Sequence, residues 1–171
     1  MRLTFRIPMQ HPLYPQWRVT PARFARNQCE ALSGTYRELL RAASAGIRAE
    51  RAIFVIHLPD SAFLSDSDRD ALWEAYQVPS YACLLDGEGR LVGYECEVQD
   101  GLHIGAVRLD TSAHTSIFSD DSILGYRLPL EHATVETAPC ACGRPGQRLR
   151  LSTRIPPRRF EIITSRGSEV A

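Results

Sequence analysis

The sequence contains no lysine; all 20 of its basic residues are arginine. Any mechanism that needs a lysine Schiff base, a lysine general base or a phosphate-binding lysine is therefore excluded within these 171 residues. No apolar run approaches the about 18 residues of a membrane span. The N-terminal stretch MRLTFRIPMQHPLYPQW starts basic but has neither an apolar core nor a small-residue cleavage site. The expectation is thus a chain with no secretory signal, working in the cytoplasm. No Gly-x-Ser-x-Gly elbow is present, which removes the usual frame for a serine nucleophile.

What is present is ordinary globular material, with 44% hydrophobic and 23% charged residues, and that balance argues against disordered or fibrous classes. The length suits one domain over residues 1–171. The zero net charge hides a pattern. Residues 1–59 balance at +6, 60–121 at −10, 122–143 at −1 and 144–171 at +5. Complementary ends and middle packing together is one reading; an arginine-rich tail for an anion or nucleic acid is the other.

Hydrophobic patterning predicts an α/β fold: a small mixed sheet flanked by helices, with a metal-stapled β-rich segment at about 90–150. Strands are expected at 2–8, 52–58, 80–85, 90–95, 102–107 and 132–138, with two more near the end, separated by Pro156-Pro157. One long helix, or two broken at Ser33-Gly34, is expected between Pro21 and Ala45, placing Cys29 on a helix. A second helix is expected to start at Ser67, with Asp70 completing its cap and Leu72, Trp73 and Tyr76 as its stripe; it ends at Val78-Pro79. Residues 110–122 read as a polar loop and 139–147 as a tight Pro/Gly/Cys turn. Trp17 and Trp73 read as core anchors.

Five cysteines in a reducing compartment point to metal or structural thiols rather than a disulfide framework. Cys96 follows a predicted strand, His103 lies across the Asp100-Gly101 turn, and Cys140 and Cys142 bracket Ala141. A Cys₃His set matches the preference of tetrahedral Zn²⁺, whereas Mg²⁺ and Ca²⁺ want oxygen ligands. Four unconnected residues, the cysteines buried as small hydrophobes, fit the same spacing. Cys29 and Cys83 read as packing thiols.

The stretch from Ala71 to Leu149 resembles part of the phenylacetate–coenzyme A ligase branch of the adenylate-forming (AMP-binding) enzymes. Three segments carry the resemblance: Tyr76-Gln77-Val78-Pro79-Ser80, then Glu95-Cys96 with Gly101-Leu102-His103, then Cys140-Ala141-Cys142-Gly143-Arg144 followed by Gln147-Arg148-Leu149. The resemblance implies a structural zinc held by Cys96, His103, Cys140 and Cys142. The family's catalytic motifs do not survive beside it. Tyr81 to Gly89 takes the place of the family's Tyr-Gly-x-Thr/Ser-Glu, with Glu88 the only positional substitute for its acid. Gly125 to Leu130 lacks the ribose-gripping Asp. A phosphate loop, a C-terminal lid and the lid's lysine are missing, and without their charge an acyl-phosphate transition state loses orders of magnitude in rate.

Other templates explain less. His57 with Asp60 sits at a strand end, a placement that suits an active site and equally suits a satisfied strand-end histidine. Asp66, Asp68 and Asp70 lack the glycine and bidentate glutamate of a calcium loop. The sequence therefore reads as a non-catalytic zinc-binding relative of acyl- or aryl-CoA ligases, a pseudoenzyme acting as a binding or partner subunit. Its partner is expected to be another protein or a second copy, with no membrane role, and with neither ATP nor nucleic acid as the favoured ligand. Two alternatives stand: a subunit of a split, ATP-dependent acid-activating ligase, and a nucleic-acid binder using Arg144, Arg148, Arg150, Arg154, Arg158 and Arg159.

Overall fold

The computed structural model of the chain describes residues 11–57, 63–85, 91–104, 106–109, 114–118, 124–129, 133–151 and 161–164, with side chains at 11–57, 63–85, 91–104 and 134–150. The expected strand at 2–8, and Asp60, Glu88, Arg154, Arg158 and Arg159, lie outside the described residues.

The sheet is built around a strand buried on both sides. Residues 52–57, AIFVIH, are all buried, as a strand covered on two faces requires. They belong to β3 (Arg48–His57), which is flanked by β2 (Gln28–Gly34) and β4 (Ser80–Leu85), both parallel to it. Beyond β2 lies β1 (Val19–Pro21), also parallel. From β4 outward the direction alternates through β5 (Leu91–Glu95), β6 (Leu102–Ile104), β11 (Gln147–Leu151) and β10 (Ala133–Glu136). The order of this 8-stranded sheet is β1-β2-β3-β4-β5-β6-β11-β10. A second, antiparallel sheet runs β12-β9-β8-β7, from β7 (Ala106–Leu109), β8 (His114–Phe118), β9 (Leu124–Pro129) and β12 (Glu161–Thr164).

Helix α1 (Tyr36–Ser44) joins β2 to β3, and α2 (Asp66–Tyr76) joins β3 to β4. Each opens with a reciprocal capping box, Thr35 with Glu38 and Ser65 with Asp68, which satisfies donors that a helix start leaves open. Strand periodicity then sorts the core. Leu32, Ile53, Val55, Ala82 and Leu84 point to one face and meet Leu39 and Ala42 of α1 and Leu72 and Tyr76 of α2, so both helices lie on that face. Ala31, Ala52, Phe54, Tyr81 and Cys83 point to the other, where Tyr14, Trp17, Leu91 and Tyr94 cover them. His11 stacks on Phe54 at 4.6 Å, and Tyr14 on Trp17 at 3.9 Å.

Four expectations are corrected here. The region from Pro21 to Ala45 is not one long helix. It holds a short 3₁₀ turn (Ala22–Phe24), the strand β2 and only then α1, so Cys29 is on a strand. Gln28–Gly34 contains no β-branched residue, and its strand form comes from ladders on both sides, a tertiary choice that propensity does not report. Helix α2 takes Ser65 as its cap, two residues before the expected Ser67; Ser-x-x-Asp occurs in two overlapping frames, and the buried Phe63-Leu64 pair directly precedes the earlier one. Within 110–122, His114–Phe118 is a strand, paired on both sides despite its polar composition. Trp73 is also corrected, since it is 53% exposed rather than a core anchor.

Candidate metal centre

Two turns carry the four candidate ligands, and backbone chemistry shapes both. Strand β5 ends at Glu95, and the buried Cys96 follows. The chain reverses through 97–101, with Gln99 N–H donating to Cys96 O at 3.0 Å and positive φ at Gln99 and Gly101. Gly101 is required twice over: φ is +86°, and a Cβ there would lie 2.9 Å from Leu149 O. His103 follows on β6, opposite Tyr94 on β5 and Arg148 on β11. The second turn holds Cys140 and Cys142 before β11, and Gly143 N–H closes it onto Cys140 O at 2.9 Å. Because β6 pairs with β11, the two turns meet.

The structure brings Cys96, His103, Cys140 and Cys142 together, with one donor atom of each inside a 4.8 Å cluster. Cys96 Sγ lies 3.7 Å from Cys140 Sγ, and Cys142 Sγ lies 3.5 Å from His103 Nε2. A tetrahedral ion with Zn–S near 2.3 Å and Zn–N near 2.05 Å places its sulfurs about 3.8 Å apart and sulfur to nitrogen about 3.6 Å apart. Both measured separations match those edges. The donor set therefore fits a metal ion of the thiolate–imidazole class.

The groups around the ligands fix them. Tyr94 stacks on the His103 ring at 5.6 Å and 20°. Burial, with the charges of Arg144 and Arg148, holds the His103 pKa down, which favours the neutral, ligating imidazole. Burial pushes the Cys96 thiol up to about 11. Cys142 moves the other way, to about 7: burial raises it, but hydrogen bonds from the Arg144 backbone, Cys140 and the Arg144 guanidinium prevail. A bound cation would deprotonate coordinating thiols outright.

Residues not expected to take part in the metal centre tie the turns to the fold. Glu95, beside Cys96, is buried and accepts from Arg69 at 2.6 Å and from Ala82 N–H at 2.7 Å. Gln99 donates to Ser80 O at 2.8 Å. Arg148, only 4% exposed, donates to the Asp100 carboxylate at 2.6 Å and its carbonyl at 2.9 Å, and to Ala138 O at 3.4 Å. One guanidinium thus grips both ligand-bearing turns. Arg144 joins them again through Glu97 at 2.8 Å. Arg150 pairs with Asp100 and Glu136 at 2.8 and 3.3 Å. Three arginines of the supposed anion-binding tail are therefore internally paired. The only sequence signal for the Glu95 anchor was its place next to Cys96.

The other candidates are placed as follows. His57 is buried at the end of β3 and stacks on Phe63 at 4.8 Å. Cys83 is buried with its thiol pushed up by burial, and Cys29 is half-buried among core residues, as packing thiols should be. On the helix face a cleft of about 250 Å³ opens beside Phe63, Leu64, Ala82 and Leu149, with the Arg69–Glu95 pair at its wall. Among the described residues, no helix is long and apolar enough to cross a membrane.

No protein-family model and no curated protein sequence matches the chain. Among solved structures, 21 chains match. One is an open conformation of 2-hydroxyisobutyryl-CoA ligase in complex with 2-HIB-AMP and CoA, at a TM-score of 0.51 and 15% identity. The similarity covers 73% of this chain and 35% of the ligase chain. At that identity the two share a fold, and this chain spans about a third of the ligase's length. The fold resemblance expected from the sequence motifs is supported to that depth.

Proposed function

We propose that this chain is a non-catalytic, zinc-stabilised relative of the adenylate-forming ligases, acting as a binding or partner subunit. The observation that carries the reading is the closed donor set. Three sulfurs and one nitrogen within 4.8 Å of one another, two of their separations matching tetrahedral edges, would fill the four positions of a zinc ion and leave none open for an activated water, so zinc held there would supply structure rather than hydrolytic or Lewis-acid chemistry. Cys96 and His103 would hold it from the β5–β6 turn, and Cys140 and Cys142 from the turn before β11.

The ligase fold itself favours a second reading, a subunit of a split acid-activating enzyme whose phosphate loop and lid come from another polypeptide. One experiment separates the two. Native mass spectrometry with metal analysis gives the ion and the copy number, and ATP is then titrated into the same sample. Bound zinc without ATP binding supports the non-catalytic subunit. Bound zinc with ATP binding supports the split ligase. A chain purified from zinc-supplemented cells without zinc overturns the metal reading. A matching prediction concerns Cys140→Ser, which removes a buried ligand. It should lower the unfolding free energy by roughly 4 kcal/mol or more, the class of loss that follows removal of a metal. Melting at the wild-type temperature would overturn it.

A further inference from the structure

A cluster of three cysteine sulfurs is a ligand set and also a store of electrons. The three are not equally placed. Cys96 and Cys140 are buried, while Cys142 is half-buried. Sulfur oxidation follows thiolate character and exposure, so a small oxidant arriving from solvent meets Cys142 first. What happens next depends on which thiol can reach it. Cys96 Sγ is within 4.8 Å of Cys142 Sγ, and it comes from the opposite turn, far away in sequence, so a bridge between them closes no small strained ring. Cys140 is as near but separated by one residue only, and a ring that small has little freedom to reach the about 90° dihedral of a relaxed disulfide.

We propose that Cys142 is a peroxide-reactive thiol whose oxidation ends in a Cys96–Cys142 disulfide and expels the bound ion. The inference rests on the metal reading above. In the first step the Cys142 thiolate attacks one oxygen of hydrogen peroxide. The O–O bond breaks, leaving Cys142 sulfenic acid and hydroxide. In the second step the Cys96 thiolate attacks that sulfur. The S–S bond forms, the S–O bond breaks, and a second hydroxide leaves. Two electrons pass from the two sulfurs to peroxide. The ion keeps only Cys140 and His103, half of its donors, and is released. The segments joined are those that the ion had joined, so the oxidised chain exchanges one crosslink for another.

The test uses the full chain loaded with zinc. Zinc content before treatment reads the metal site by itself; no zinc at that point overturns the metal reading, and this proposal with it. Hydrogen peroxide is then added, released zinc is followed with a chelating dye, and disulfides are mapped by peptide mass. The expected result is one zinc released for each Cys96–Cys142 disulfide formed, with zinc taken up again after dithiothreitol. Cys142→Ser is a poor probe because it removes a ligand. Cys29→Ser is the control, since Cys29 is half-buried but outside the cluster, and it should leave release unchanged. Zinc retained while Cys29 oxidises overturns the proposal. So does zinc released with a Cys140–Cys142 bond, or release abolished in Cys29→Ser.

Discussion

The Arg148 guanidinium bonds to both of the turns that carry the candidate cysteines. Its partners lie 48 and 10 residues away, on the two turns that carry the cysteines. The hydrogen bond from Arg148, with the charge of Arg150, holds the Asp100 carboxyl below the usual carboxylate range despite some burial. Because the folded pKa is lowered, this pair stabilises the fold above the ordinary Asp pKa of about 4 and ceases to do so as pH falls through the lowered value. Asp100 is itself 42% exposed, so the pair matters more for position than for energy. Replacing Arg148 with Met should raise the Asp100 pKa toward the ordinary carboxylate range, read by NMR, with Arg150 still holding it partly down, and weaken zinc binding by about tenfold, as loss of an outer-shell partner does. Unchanged zinc affinity in a competition titration would sink the idea. At this scale the sequence was half legible. Cys96, His103, Cys140 and Cys142 suggest metal chemistry by type and order, while Cys29 and Cys83 share the type and lie outside the cluster. Arg148 and Glu95 announce nothing, because their meaning depends on partners dozens of residues away, and the arginines near the C-terminus resemble a loose charge patch until those partners are seen.

The elements tell a similar story. β3, β4 and β5 were legible because their apolar runs are long or bounded by turns. β2 was not, since its residues favour no particular state and only the neighbouring strands decide it. The two helices are joined by a bond that no pattern could predict: Tyr76 OH donates to Leu39 O at 2.6 Å, a carbonyl inside α1. Tyr76→Phe keeps the ring and removes this bond. It should cost about 1 kcal/mol in a urea titration, with an unchanged m-value. A neutral result would mean that ring packing alone registers the helices. Trp73 on α2 is largely exposed, so Trp73→Ser should change stability by no more than about 0.5 kcal/mol. A larger loss by the same titration would mean that the indole packs more tightly than its exposure indicates.

Across the whole molecule, the larger sheet divides into two parts. Its parallel part, β1 to β4, is covered by α1, α2 and the aromatic segment at 11–17. Its antiparallel part, β5, β6, β11 and β10, carries the candidate metal centre and lies beyond the helices' main contacts. Local opening follows local packing, so removing zinc with a chelator should raise amide exchange at 96–103 and 138–149 while β2, β3 and β4 stay protected. Uniform loss of protection would show that the ion supports the entire sheet. The motifs read from the sequence lie largely at turns, which residue type alone reveals, whereas the order of the strands around them depends on distant pairings that residue type does not report.

The pairing of Ile104 with Gln147 closes a long excursion of the chain, and the four donors sit on both sides of that closure. Bringing such distant segments together is the slow, entropically costly step in assembling a sheet. An ion caught early by the two turns would perform that closure before a single β6–β11 hydrogen bond formed. The centre would then set the tempo of folding as well as its endpoint: refolding would run faster with zinc present from the start than with zinc added once the chain had already collapsed.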